Sequence, residues 1–440
     1  MGAIVLVAVC SVAGWRSLRR PEPRPALATE GRPSRSEASP ATEPPPPTMA
    51  PAVAVPAEAM KVEAAGMSDE DRQKAEALAH RMPGVTYADI SVAEQLFSRH
   101  PGELRGLLEA TLLNVADGER RRRRFTDAAV LLQRAVSVET ERARPALSLM
   151  NTLTEAGDWA GAEAAARTAL AREPRNADAW YGLAYALMRQ DRNKEAAEAV
   201  RTALEIRPDS TAQALLDRVS KGMADERGMT EQQLSHFHVR YDGEAHDDVG
   251  REILRALERH YATLVSALDH RPQATIPVIL FSSQAYYDAT GAPGWAGGHY
   301  DGTDGRIRVP IGGLTRDLSP YMDATLLHEL THAFVEDRTR GVAPRHVHEG
   351  LAQVMAGQGP IARLTPDDVR RFADGRSQHP SAYYTCALSF VQYLVAIRSM
   401  GGMNDLLKAM GESGDVDDAF RRVFGQDHKA TLEAWVQRMR

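Results

Sequence analysis

Cysteine is almost missing from this sequence: Cys10 and Cys386 are the two in 440 residues, and Cys10 sits in an apolar N-terminal run. That scarcity excludes a disulfide framework and a cysteine-built zinc ribbon, so any metal must be held by histidine and carboxylate. The uncharged run Gly2 to Trp15 is 14 residues long, short of the ~20 needed to cross a bilayer, and no basic segment precedes it. Surplus positive charge is lacking too. Lys+Arg of 53 against Asp+Glu of 59 gives a net charge of −6, which excludes an obvious nucleic-acid binder. With 43% apolar and 25% charged residues, wholesale disorder and a multispan membrane protein are also excluded. The length predicts two or three domains.

Residues 1–20 read as an export signal or membrane anchor, with Arg16, Arg19 and Arg20 closing the apolar run. An apolar start ahead of a Pro-rich stalk favours export to the cell envelope, periplasmic or membrane-anchored. The arginines offer the alternative of a cytoplasmic face through the positive-inside rule. Residues 21–66 hold 11 of the 25 prolines, including Pro44 to Pro47; such a stretch forms an extended linker.

From about Ser68 the composition turns helical, and a period of 34 emerges. Pro174 and Pro208, Ala162 and Ala196, Ala169 and Ala203, and Leu170 and Leu204 are each 34 apart, with Ala128 and Ala135 in register one period earlier. Small residues let paired helices approach, and a proline closes each unit because it cannot continue a helix. Together with Trp180 and Leu183, this pattern resembles the tetratricopeptide repeat, which implies a protein partner. The helical domain is read as 67–227, with repeats at 109–142, 143–176 and 177–210. Arg120 to Arg124 fall at the helix–helix turn of the first repeat and read as a solvated turn.

Beyond Arg227 the pattern changes. His236 to Tyr241 alternates as a strand does, and 246–268 carries Val249, Ile253, Leu257, Tyr261 and Leu264 at helical spacing. Ile276 to Phe281 reads as a buried strand. Trp295 to Tyr300 and Arg306 to Ile311 read as two more, around the turn-forming Asp301 to Gly305. After Ser319 the chain is helical. Residues 228–440 are therefore an α+β domain.

The chemistry lies in Thr325-Leu-Leu-His328-Glu329-Leu-Thr-His332. Ser319-Pro320 starts its helix and Gly341 stops it. Two histidines four apart project about 40° apart on one helix face, which suits a divalent ion such as zinc. Glu329 beside them is placed to take a proton from the attacking water. Position 338 is Arg338, which excludes the extended metzincin pattern. Pro344 to Gln353 reads as the start of a second helix, with Glu349 lying 17 residues after His332. His346 and His348 leave rival third ligands open.

HELTH, followed by APRHVHEGLAQ and preceded by WAGGHYDG and RIRVPI, resembles the peptidase-MA-like zinc metallopeptidases, a gluzincin group often joined to tetratricopeptide repeats. The resemblance covers roughly 236–440. It implies one zinc ion per chain, held by His328, His332 and Glu349, with Glu329 as general base. It also implies a tyrosine that stabilises the oxyanion, for which Tyr384 aligns best beside Tyr383. Gln353 stands where thermolysin-type members carry an aspartate, and is expected to steady a ligating histidine. Cys386 reads as packing. Gly297 to Gly302 reads as an edge strand bordering the cleft, able to bind an extended peptide.

The expected fold class is thus α+β, an all-helical tetratricopeptide-repeat array followed by a zincin-like metallopeptidase domain. The expected function is zinc-dependent hydrolysis of peptide or protein substrates. The alternatives are a protein-binding scaffold with an inactive metal domain, or a zinc hydrolase of a non-peptide amide.

Overall fold

A computed structural model describes residues 66–233, 235–241, 247–291, 297–311, 318–377 and 379–439; of residues 247–249 and 283 only the backbone is described. The N-terminal run and most of the Pro-rich stretch lie outside these residues, as does Trp295.

Nine helices come first among the described residues: α1 Asp69–His80, α2 Tyr87–Arg99, α3 Arg105–Arg121, α4 Phe125–Val138, α5 Arg144–Ala156, α6 Trp159–Arg172, α7 Ala177–Arg189, α8 Asn193–Ile206 and α9 Ser210–Asp225. Their starts are written in local chemistry. Asp158, Asn176 and Asp209 cap α6, α7 and α9 by accepting backbone N–H bonds, which satisfies donors a helix start leaves free. Gly157, at φ 78°, ends α5 in the left-handed conformation. The helices pack as antiparallel pairs α3/α4, α5/α6 and α7/α8, each pair stacking on the next. Ala128, Ala162 and Ala196 are fully buried at equivalent points, which brings paired axes close. The first pair begins at Arg105, before the expected 109, and the α1/α2 pair precedes it.

The second region holds a five-stranded sheet, β1 Thr230–Gln233, β2 Phe237–Tyr241, β3 Ile276–Phe281, β4 His299–Asp301 and β5 Arg306–Pro310, in the order β1-β2-β3-β5-β4. β2, β3 and β5 run parallel, whereas β1 and β4 are antiparallel to their neighbours. α10 Asp247–Leu268 makes the crossover from β2 to β3, and α11 Ser283–Thr290 follows β3. β4 is shorter than the sequence suggests: Gly297 and Gly298 stand outside it. β1 and α11 are additions that the apolar pattern does not announce, since β1 is a polar, mostly exposed Thr-Glu-Gln-Gln.

Six helices complete the chain: α12 Pro320–Thr339, α13 Arg345–Met355, α14 Pro366–Ala373, α15 Pro380–Ser413, α16 Val416–Phe424 and α17 His428–Arg438. α15 is broken at Ser399, where φ is 60° and ψ 179°. Leu326, Leu330 and Phe334 of α12 join Leu257, Val278, Val309, Phe390 and Trp435 in one core between sheet and helices.

Helical array and sheet meet through buried charge. Arg306 of β5, 1% exposed, pairs with Asp191 in the α7–α8 turn and with Glu226 after α9. His238 Nδ1 lies 2.6 Å and Arg240 Nη1 2.9 Å from the same Asp191 carboxylate. Arg189, the last residue of α7, donates to the carbonyl of Gly302 in the β4–β5 turn at 2.9 Å. The five-arginine run does lie at the α3–α4 turn, with Arg121, Arg122 and Arg124 exposed, but it is also laced with ion pairs. Arg120 pairs with Asp117 and Glu155, Arg121 with Asp117, and Arg122 and Arg124 with the buried Glu119. Arg123 instead reaches across to Gly411 in α15.

His346 and His428 form a second polar feature of the core. Their rings stack 4.9 Å apart at 8°, with Nε2 atoms 2.8 Å apart. One nitrogen must donate and the other accept, so the two rings cannot both be charged. Burial lowers both pKa values, that of His346 to about 3. A folded-state pKa below the unfolded one makes stability complete above about pH 6.5 and lost as pH falls, by up to about 1.4 kcal/mol per unit for one group. Denaturation midpoints compared at pH 7.5 and 5 should therefore fall more steeply for the wild type than for His346→Leu; equal slopes would refute this.

Candidate metal centre

Ser319 Oγ accepts the N–H of Met322 at 3.2 Å and Pro320 opens α12; its fixed φ suits the first turn. One face of α12 is committed to the core, so His328, Glu329 and His332 turn toward α13 and β4. The two histidine rings lie 4.9 Å apart at 83°. α13 starts after Pro344 and returns beside α12. Its Gly350 is what lets α13 press on α15: a Cβ there would sit 2.2 Å from the Ala387 carbonyl oxygen. This seats Glu349, whose Oε2 is 3.5 Å from His328 Nε2 and 3.6 Å from His332 Nε2.

Zinc bonds near 2.0–2.1 Å at tetrahedral angles separate neighbouring ligand atoms by about 3.3 Å. His328, His332 and Glu349 offer ligand atoms within 4.8 Å of one another, the one such trio among the described residues. The donor set therefore fits the ion. His328 Nδ1 faces Gln358 Oε1 at 3.1 Å, which assigns the proton to Nδ1 and frees Nε2 as a ligand. Burial pushes His332 down to about 3 and keeps it neutral. On His328, burial opposes charge, but the hydrogen bond to Glu349 and the charges of Glu329 and Glu349 outweigh it and raise the pKa. Glu349 shows the counterpart: burial would raise it, and His328, His332 and Arg345 hold it low.

Glu329 is 7% exposed and accepts the backbone N–H of Tyr300 in β4. Burial raises its pKa to about 7, against the charge of His328. β4 comes this close because position 298 is glycine: a Cβ there would lie 2.9 Å from Glu329 Cγ and 3.0 Å from Thr325 Cγ2. On the other side, burial and then the charge of Glu349 raise the Tyr384 phenol, which also senses Glu329. Tyr383 packs against Phe372 with the rings tilted at 55° and lies under Arg345.

The rival ligands fall elsewhere. His346 is engaged by His428, and His348 points its Nε2 toward Glu336 at 3.6 Å. Gln353 does not steady a histidine. Its amide donates to the backbone carbonyls of Glu349 and Tyr384, both at 3.0 Å, and ties α13 to α15. Gln358, just beyond α13, takes the histidine-orienting place. Arg345 is a further neighbour that the motif does not name; its Nε is 3.8 Å from Glu349 Oε1. The signal available for it was the i, i+4 spacing to Glu349 on one helix. Cys386 is buried and free, its thiol pushed up to about 12 by burial, which suits packing and not nucleophilic attack.

Comparison with known proteins bears on the array. Two antiparallel pairs, α5/α6 and α7/α8, carry the small residues and closing prolines in register. Residues 147–211 match the tetratricopeptide repeat family. The tetratricopeptide segment thus runs from within α5 through α8 into the first residues of α9. Tetratricopeptide arrays generally mediate protein–protein interaction, and this one is consistent with a protein partner. No curated protein matches the chain.

Proposed function

We propose that this chain is a zinc-dependent gluzincin-type peptidase whose tetratricopeptide array holds a protein partner or substrate. The observation that supports it most is the convergence of His328, His332 and Glu349 beside a buried Glu329. Zinc held by those three residues would supply a Lewis acid that polarises a carbonyl and lowers the pKa of water toward neutrality. Glu329 serves as the base: its carboxylate accepts the proton of the attacking water and passes it to the leaving amine. Tyr384, kept neutral by burial, donates a hydrogen bond to the developing oxyanion. β4 is an edge strand of the sheet, a position at which an extended peptide can be received through main-chain hydrogen bonds. Export behind residues 2–15 belongs to the same proposal and rests on the sequence alone; among the described residues no helix is long and apolar enough to cross a membrane.

The test is metal content with proteome-wide cleavage profiling of the purified full chain. Stoichiometric zinc with discrete peptide-bond cleavages supports the reading; zinc without any cleavage favours the scaffold. A sharper check uses Gly298→Val. The added side chain collides with Glu329 and Thr325, so turnover should drop by about 100-fold while zinc content stays at the wild-type level. Unchanged turnover would detach β4 from the reaction.

A further inference from the structure

Arg123 and Arg340 converge from opposite sides of the seam between array and C-terminal helices. Arg123 lies in the α3–α4 turn, and Arg340 ends α12. Both guanidiniums donate to one carbonyl, that of Gly411, at 3.4 and 3.3 Å. Both also lie against the Phe125 ring, 5.2 and 4.9 Å from its centre. Neither has a carboxylate within ion-pair distance among the described residues. Of the acids whose charge reaches them, Glu155 is engaged by Arg120, Asp337 by His270 and Glu412 by Lys408 at 3.9 Å. Two like charges aimed at one carbonyl leave most of their donors unmatched.

The backbone is arranged for this pair. Arg123 and Arg340 adopt φ of 57° and 54°, a region that costs non-glycine residues energy and gathers at ligand sites. Gly414, at φ 68°, gives Arg123 its bed, since a Cβ there would lie 2.2 Å from Arg123 Cδ. The pair opens into a cavity of about 870 Å³ that Arg122, Arg124, Arg421 and Arg422 also line. Asp127, Glu412, Asp415 and Asp418 share the wall; Glu119, Asp427 and Asp418 pair Arg122, Arg124, Arg421 and Arg422, which leaves Arg123 and Arg340 as the arginines of the wall without a carboxylate partner among the described residues. Two such guanidiniums match a dianion, and a volume of this size suits a small ligand.

We propose that this cavity binds a phosphoryl group, free or on a small organic carrier, clasped between Arg123 and Arg340. Paired planar guanidiniums grip phosphate oxygens in parallel, which a single charge does not. The site lies at the far end of the helix that bears His328 and His332, and it is independent of the proposed hydrolysis.

The experiment titrates the full chain with inorganic phosphate, glycerol 3-phosphate and acetate at constant ionic strength, followed by calorimetry and melting temperature. Both phosphates should saturate, and acetate should bind at least about 10-fold more weakly. Tighter binding of glycerol 3-phosphate identifies an organic carrier, and equal binding the free ion. Arg340→Gln should weaken phosphate about 10- to 100-fold. Arg123→Lys, which keeps the charge and loses the fork, should weaken it too and guards against a fold defect in the first variant. Absence of saturation, equal affinity for acetate, or wild-type affinity in both variants overturns the proposal.

Discussion

Glu329→Gln is expected to retain about one zinc per chain and to lose hydrolysis by a factor on the order of 10²–10⁴, the usual contribution of a positioned base. The amide has the same size and can still accept the Tyr300 N–H that holds Glu329, so the β4 contact survives. Only the ability to take a proton goes. His332→Ala should behave differently, losing the metal along with the activity, because it removes one of the three proposed ligands. Metal analysis and single-turnover cleavage separate the two variants. Zinc retained with wild-type turnover in Glu329→Gln would take Glu329 out of the reaction.

The second large effect concerns stability. Asp191→Ala should destabilise the chain by about 3–5 kcal/mol, since it strands a buried arginine. Arg306 is 1% exposed and loses one of its two carboxylates, and Arg240 and His238 lose the same partner. Burial alone would raise the Asp191 carboxyl; the hydrogen bond from His238 and the charges of Arg306 and Arg240 hold it well below the usual range instead. A lowered folded-state pKa means the stabilisation is full above about pH 4 and disappears as pH drops through the lowered value. Urea denaturation at pH 7 therefore reads the whole effect. A change below about 1 kcal/mol would mean that water reaches Arg306 and solvates it.

What the sequence revealed follows from how local each feature is. The His328–His332 pair is a matter of one helical turn, and Ser319-Pro320 marks the start of that helix in plain residue chemistry. The repeats are likewise legible, because Ala162 and Ala196 do the same packing task 34 positions apart. Gln358 and the Asp191 cluster stay hidden for the opposite reason. Gln358 finds His328 across 30 residues, and Arg306 finds Asp191 across 115; no spacing rule connects such partners. In a charge run the turn and its exposure are legible, and the partners are not. Arg120 to Arg124 look alike in sequence, yet four neutralise acids of their own turn or the next repeat, and Arg123 alone crosses the seam.

A stacked helical array ordinarily behaves as a spring, each unit answering only to its neighbours. Here the spring is bolted at Arg189 to the very hairpin whose outer strand lies against Glu329. The end of α7 is therefore tied through Gly302 to the strand beside Glu329, so the setting of that carboxylate depends on how the array is packed.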